Sequence, residues 1–391
     1  KAKNEMGQTY PNYVNGEPIF SNRGLFKDIS PADMDLIIGY FQAGSCEDTK
    51  EAIKVAKESF LSWSLTPYEN RVSVIRKIIP LLVESKFEIS AIMSLENGKN
   101  RFESIADVDE SIDLVRYYCM LMESNNGFMK TMGQAYENED VVSSLKPYGV
   151  WGVIAPFNFL ALTIGMCTGA LVTGNTVVYK PSSDTPLMGL KYYELLVKSG
   201  LPNGVLNFIA GPGSTVGPEL INNIDVSGLI FTGSREVGVS SYLAFNTKMP
   251  RPFVAEMGGK NPVYVSEKAN LDKAANGVAS AAFGFAGQKC SACSRVYVHR
   301  SVKDEFVSKL TENTRGLKIG DPTKRESYVS PLINNDAFEK FRKYSELSST
   351  DGKIILGGKV LTGEGQQNGY YVEPTIVESL PPDHEIVLEE L

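Results

Sequence analysis

Residues 176–199 read TVVYKPSSDTPLMGLKYYELLVKS, and the period of the pattern changes partway along. TVVY is a short β-branched and aromatic run, KPSSDTP is turn chemistry, and the rest carries apolar residues at helical spacing. The same order recurs on both sides. Strands are predicted at 150–155 (VWGVIA), 176–179 (TVVY), 205–209 (VLNFI), 228–231 (GLIF), 262–265 (PVYV) and 295–298 (RVYV). Helices are predicted at 186–199, 214–221, 236–245, 271–286 and 302–314. Strands separated by helices of that length need crossover connections, so they lie parallel and covered on both faces. The fold class is α/β.

Upstream, the Asn15-Gly16 pair predicts a hairpin, and amphipathic spacing predicts helices over 47–62, 67–85 and 105–122. Residues 127–144 are polar and alternating, with Gly133 and an acidic ENED run, and suit an extended arm that pairs with another element or subunit. A boundary is expected at 256–259, where EMGGK interrupts the alternation with a glycine pair. The ending EIVLEEL is a half-finished pattern, and the chain is expected to continue beyond it.

A chain of 391 residues with 42% hydrophobic content is long enough for two or three domains. The net charge of -7 is spread along it. Lys and Arg neither cluster nor interleave with aromatics, which argues against a nucleic-acid surface. No apolar run approaches the ~18 residues that cross a bilayer, and KAKNEMGQTY lacks the apolar core of a signal peptide. No membrane partner is expected, and the compartment is read as intracellular. The five cysteines, at 46, 119, 167, 290 and 293, are odd in number and scattered, which favours a reducing environment over a disulfide framework.

Two of those cysteines lie in FGFAGQKCSACSR, residues 283–295. Structural zinc takes about four ligands, whereas this chain has one C-x-x-C and two distant histidines, His299 and His384, so no metal is expected. A thioredoxin-like dithiol belongs near the start of a compact βαβ unit. Three readings stay open: that dithiol, small buried thiols that fill a helix interface, or a nucleophile served by something other than imidazole.

Polar or glycine-rich turns follow three of the strands: KPSSDTP from Lys180, GPGSTVG from Gly211, and FTGSR from Phe231. In open parallel sheets ligands bind at the carboxyl ends of strands, and helix N-termini offer free N–H groups to phosphate. Each turn alone is more often only a turn, and none is a G-x-G-x-x-G or an NTPase phosphate loop. Asn158, in PFNF, either caps a turn or donates to a developing oxyanion. Glu256, in FVAEMGG, is either a surface carboxylate or a base whose pKa is raised by burial in that apolar run.

PFNF, KPSSDTP, GPGSTVG, FTGSREVG, EMGGKNP, FGFAGQKCSACSR and GYYVEPT occur in the order and at the spacing of the aldehyde dehydrogenase superfamily, which the chain resembles over essentially its whole length. AEMGGK followed by AFGFAGQKCSACSR is most similar to the 1-pyrroline-5-carboxylate (glutamate semialdehyde) dehydrogenase branch. The resemblance implies two parallel-sheet α/β domains plus a small β oligomerisation arm. Residues 1–125 and 148–257 would form the dinucleotide-binding domain, 126–147 the arm, and 258–391 a catalytic domain lacking its C-terminal end.

It further implies that Cys290 attacks the aldehyde carbon, that Asn158 and the Cys290 backbone N–H hold the oxyanion, and that Glu256 activates water against the thioester. Lys180 would contact the adenosine ribose, Gly233 and Ser234 the pyrophosphate, and Glu390 the nicotinamide ribose. Ile154, Phe157, Gly213, Gly217 and Val237 would line the cofactor cleft. Ser183 stands where many NAD-preferring relatives carry a glutamate, so NAD or NADP is implied. Lys289 and Ser291 flank the nucleophile and would anchor a substrate α-carboxylate. The implied setting is cytoplasmic proline degradation by a homo-oligomer, a dimer or tetramer. Rival readings are an NADP-dependent dehydrogenase of another small aldehyde, such as glyceraldehyde or succinate semialdehyde, and a non-catalytic structural relative. The joint presence of Cys290, Glu256 and Asn158 favours catalysis.

Overall fold

The computed structural model describes residues 1–391. They divide by their own contacts into two compact units: Lys1–Asp28, Ile38–Ser90 and Ile105–Glu256 form the first, and Ile29–Ile37, Ala91–Ser104 and Met257–Leu391 the second. The chain passes between them at Glu256, inside the EMGGK interruption. Two segments expected in the nucleotide-binding portion, Ile29–Ile37 and Ala91–Ser104, instead pack with the second unit.

The first unit is built on a seven-stranded sheet. Its strands are β1 (Asn12–Val14), β2 (Glu17–Ile19), β3 (Val150–Ile154), β4 (Thr176–Lys180), β5 (Leu206–Phe208), β6 (Val226–Thr232) and β7 (Phe253–Glu256). Their order is β7-β6-β3-β4-β5-β1-β2. Strands β7 through β5 pair in parallel, and β1 and β2, turning at Asn15-Gly16, add an antiparallel edge. From β3 the chain steps to β4 and β5, then returns to the other side of β3 with β6 and β7. The order therefore reverses between β3 and β6, and the crevice outside their carboxyl ends is where such sheets bind ligands.

Helices α1 (Cys46–Leu65), α2 (Tyr68–Arg76), α3 (Ile78–Glu96) and α4 (Arg101–Ser124) precede the alternation, and α5 (Leu160–Val172), α6 (Pro186–Lys198), α7 (Gly213–Asn222) and α8 (Arg235–Phe245) supply its crossovers. A capping box starts α1: Ser45 Oγ accepts from the Asp48 N–H at 3.0 Å, and Asp48 accepts from the Ser45 N–H at 2.8 Å. The helix expected over 67–85 is broken at Lys77. Pro80 has no N–H to continue the ladder back to Arg76, and it suits the first turn of a new helix, α3. Val150, Val178 and Leu229 from the sheet pack with Ala52, Ile53 and Ala56 of α1 and Val216 and Leu220 of α7. The Trp63 indole N–H donates to the Leu171 carbonyl at 3.0 Å, which fixes α1 against the end of α5.

In the second unit β8 (Asn261–Val265) and β9 (Cys293–Val298) pair in parallel, joined through α9 (Leu271–Phe283), with α10 (Lys303–Arg315) following. Val265, Ala275, Val278, Ala279, Phe306 and Leu310 form its core. The helix predicted to run to Ala286 stops at Phe283. An antiparallel pair, Lys353–Leu356 with Ile376–Glu378, was not predicted. Within 127–144, Met129–Thr131 pairs antiparallel with Val142–Ser144, and every residue of both strands is exposed. No helix is long and apolar enough to cross a membrane.

Leu229, midway along β6, is fully buried. Leu229→Ala should lower stability by about 2–5 kcal/mol, read as a fall in the urea midpoint; an unchanged midpoint would place Leu229 outside the core.

Candidate active site

The turns leaving the parallel strands gather on one edge of the first unit's sheet. Ile154 ends β3 and pairs with Phe231 of β6, while Thr232 pairs with Glu256 at the end of β7. The Gly233 N–H donates to the Glu256 carbonyl at 3.2 Å, joining the two strand ends. Ser234 caps α8 through the Val237 N–H, and Val237 lies half exposed in its first turn. Ser183 Oγ donates to the Gly211 carbonyl at 3.0 Å, which brings the KPSSDTP turn to the start of α7. Ile154, Phe157, Asn158, Lys180, Ser183, Gly213, Gly217, Gly233, Ser234, Val237 and Glu256 thus all follow or end strands of one sheet, or open the helices that leave it.

That edge suits a dinucleotide. Gly213, the first residue of α7, is exposed and nothing lies within 4 Å of where a β-carbon on it would stand, so the start of α7 presents bare backbone, while Gly217, one turn on, is buried with no side chain to fill the space beside it. A helix N-terminus of that kind accepts phosphate through free N–H groups and the helix dipole. Lys180, at the end of β4, is buried, and its ammonium donates to the Pro181 carbonyl at 2.9 Å. Burial lowers its pKa to about 8, partly opposed by the Asp184 carboxylate.

Glu256 departs from one expectation. It is exposed, not buried within FVAEMGG. The reason is the pleat: β7 is the edge strand, alternate residues face opposite sides, and Val254 and Glu256 share the open face. The Glu256 side chain is therefore open to water on that face.

The second unit holds the thiol. After α9 the chain enters a tight turn, Gly284–Gly287, with Phe285 at φ 51°, Ala286 at φ 53° and Gly287 at φ 74°. Consecutive left-handed residues that are not glycine are uncommon and cost energy. The Lys99 ammonium, itself buried, lies over the buried Phe285 ring at 4.9 Å from its centroid. Gln288 donates to the Phe285 and Pro331 carbonyls, both at 3.2 Å. Cys290 follows, partly exposed. Its carbonyl accepts from the Asn261 amide at 2.6 Å and lies where a β-carbon on Gly259 would stand. The Glu390 carboxylate lies against Gly258 in the same way. The glycine pair of EMGGK therefore lets the Cys290 backbone and Glu390 approach the same loop.

Lys289 is ion-paired with Glu103, in the first turn of α4. Glu103 also accepts from the Asn100 amide at 2.7 Å, and Asn100 donates to the Tyr328 carbonyl at 2.8 Å. No motif pointed to Glu103, because nothing in RFESIADVDES separates it from its neighbouring acids. Ser291 is exposed beside the thiol. Cys293 is different: it is buried in the core of the second unit, its thiol donates to the Arg295 carbonyl at 3.6 Å, and burial raises its pKa. Of the readings of C-x-x-C, packing fits Cys293, and of the pair only Cys290 has the exposure a nucleophile needs.

The model of the aldehyde dehydrogenase family matches residues 20–391. The chain is 36% identical over 397 residues to 1-pyrroline-5-carboxylate dehydrogenase 1 of Halalkalibacterium halodurans, a match covering 100% of this chain and 76% of that protein. Among solved structures it is similar to 1-pyrroline-5-carboxylate dehydrogenase from Thermus with bound NAD, at TM-score 0.94 and 32% identity over 100% of this chain and 75% of that one. It is also similar to proline utilization A from Bdellovibrio bacteriovorus, at TM-score 0.95 and 31% identity, where the match spans 100% of this chain and 40% of that one.

An unfolded lysine titrates near 10.4, against about 8 for Lys180 in the folded protein. Between those values the unfolded chain holds the proton and the folded chain does not, so this group makes stability rise with pH across that window, and its full penalty is present below it. The stability of the wild type relative to Lys180→Met should accordingly be flat below pH ~8 and climb toward pH ~10, read by urea denaturation at a series of pH values. A flat difference throughout would mean that Lys180 keeps its proton when folded.

Proposed function

The chain belongs to the aldehyde dehydrogenase family, and from that premise we propose that it oxidises L-glutamate 5-semialdehyde to glutamate with NAD(P)⁺. The observation that carries the substrate is the full-length similarity to 1-pyrroline-5-carboxylate dehydrogenases, supported by a cation and a hydroxyl on either side of Cys290. The Cys290 thiolate adds to the aldehyde carbon and forms a thiohemiacetal. The Asn158 amide and the Cys290 N–H donate to the oxygen that gains charge, and such donors act where charge develops in the transition state. Bound NAD(P)⁺ supplies what no side chain here provides, a hydride acceptor. Oxidation leaves an acyl thioester on Cys290. Glu256 takes a proton from water, the hydroxide adds to the thioester carbon, and the tetrahedral centre expels the Cys290 thiolate with the carboxylic acid as product.

The chain's own residues also support the cofactor roles. Gly233 and Ser234 would take the pyrophosphate, Gly213 and Gly217 would line the cofactor cleft, and Lys180 and Ser183 would face the adenosine ribose. Ile154, Phe157 and Val237 offer apolar surface, and Glu390 would hold the second ribose. Ser183 is small and neutral, so it sets no charge against a 2′-phosphate, and both cofactors are accommodated. Lys289 would meet the substrate carboxylate while paired with Glu103, which fixes where the ammonium stands but offsets part of its charge. Ser291 would then supply the discriminating hydrogen bond.

Assembly into a dimer or tetramer is supported by the exposed strands Met129–Thr131 and Val142–Ser144 and by exposed Tyr242 and Leu243 on α8. Five free thiols support a reducing, cytoplasmic setting.

Glu256→Gln should give a stoichiometric burst of reduced cofactor and then stall, because the thioester forms and is not hydrolysed; absence of a burst, with Cys290 unmodified by mass spectrometry, contradicts the role. For the substrate, Ser291→Ala should raise KM for glutamate semialdehyde on the order of 10-fold or more, the size of one hydrogen bond to a charged group. It should leave an uncharged aldehyde of equal length unaffected. A higher kcat/KM for glyceraldehyde than for glutamate semialdehyde in the wild type would remove the substrate assignment and leave the family assignment standing.

A further inference from the structure

The roles assigned above leave unused a buried carboxylate beside the proposed oxyanion donor. Asp107, in the second turn of α4, is 2% exposed. One of its oxygens accepts from the Ala161 N–H at 2.8 Å, and the other from the Leu160 N–H at 3.2 Å. Leu160 and Ala161 open α5, and the residue at the N-cap of that helix, Phe159, has no side chain able to accept. The cap that sequence would normally place at the helix start is supplied instead from a helix 53 residues earlier. Asn158 immediately precedes Phe159, so the backbone that carries the Asn158 amide leaves β3 and enters α5 through the corner that Asp107 grips.

The physical consequences are specific. The first N–H groups of a helix have no partner within it, and buried ones without an acceptor are costly. A carboxylate there is favoured twice, by charge-assisted hydrogen bonds and by the positive end of the helix dipole. Removing it leaves the Leu160 and Ala161 N–H groups without that acceptor and loosens the first turn of α5, two residues beyond Asn158.

We propose that Asp107 is a positioning residue for Asn158: by capping α5 it fixes the Phe157–Leu160 corner and so holds the Asn158 amide in the orientation that meets the developing oxyanion. The proposal rests on the oxyanion role given to Asn158 above. Asp107 touches no reacting atom and acts only through that amide. Its loss should therefore weaken stabilisation of the transition state and leave ground-state binding of substrate largely intact, so the effect belongs to kcat.

A double-mutant cycle in full-length protein tests this, with steady-state formation of reduced cofactor as the readout. Misplacement of a catalytic group by about 1 Å costs on the order of 10²-fold. Asp107→Ala should lower kcat by roughly 10- to 100-fold with KM changed less than about twofold. Asp107→Asn keeps a carbonyl acceptor for one of the two N–H groups and should recover part of the rate. In an Asn158→Ala background, Asp107→Ala should cost nothing more, because there is no amide left to misplace. The proposal is overturned if Asp107→Ala lowers kcat by the same factor with and without Asn158, since that is the behaviour of a structural residue. It is equally overturned if Asp107→Ala leaves kcat unchanged or acts on KM alone. If Asp107→Ala does not fold, the cycle is read with Asp107→Asn, under the same criteria. Failure of the underlying reading looks different: Asn158→Ala itself would then turn over at the wild-type rate.

Discussion

Parallel pairing of β3 through β7 is the constraint on which the rest of the first unit depends. A parallel strand cannot be reached by a tight turn, so each pair is joined by a helix that returns the chain to the starting edge. All five strands therefore end on the same edge, and every turn that follows a strand is delivered to it. The return from β5 to β6 passes to the far side of β3, and the turns after β3 and β6 diverge. A groove results from the topology alone, before any side chain is considered. Asn158, Gly233 and Glu256 sit where they do because three strands run in the same direction.

The second unit solves a different problem, which is to aim one thiol. Cys290 is not on a strand or a helix but at the exit of a turn whose backbone is left-handed at Phe285 and Ala286. Such a turn persists only if its surroundings over-determine it. The surroundings do so: Lys99 lies over the Phe285 ring, Gln288 reaches the Pro331 carbonyl, Glu103 pairs with Lys289, and the Asn261 amide holds the Cys290 carbonyl. Close approach at Gly258 and Gly259 completes the arrangement, because a side chain at either would displace the Glu390 carboxylate or the Cys290 backbone. A motif such as EMGGK is thus a packing requirement as much as a chemical one.

What the sequence disclosed follows the same physics. The alternation from β3 to β6 was legible because each element is set by a short-range pattern, and KPSSDTP and GPGSTVG were legible as turns for the same reason. The end of α9 was misread by three residues: FGFAG keeps the apolar spacing of a helix while its backbone reverses hand. The buried one of the two readings of Glu256 rests on its apolar neighbours in sequence. Exposure of β7 depends on its being the sheet edge, and edge position is a property of strand order that a run of seven residues does not contain. Strands of three or four residues, such as Lys353–Leu356, are too short to establish a period.

Glu103 and Asp107 show the deeper limit of reading motifs. They are four residues apart on α4, so they share a helix face. Each makes its contact to a loop far away in sequence: Glu103 to Lys289 beside the thiol, and Asp107 to the start of α5 beside Asn158. In RFESIADVDESIDLV they are two acids among five, and propensity treats all five as solvated helix surface. Only burial and hydrogen-bond accounting distinguishes them, since a buried carboxylate without partners would be expensive and these two have partners on backbone or ammonium. The residues that perform chemistry announce themselves at strand ends, where few other constraints act. The residues that hold them in place are found by asking where each buried donor and acceptor is satisfied, and that question has an answer only in three dimensions.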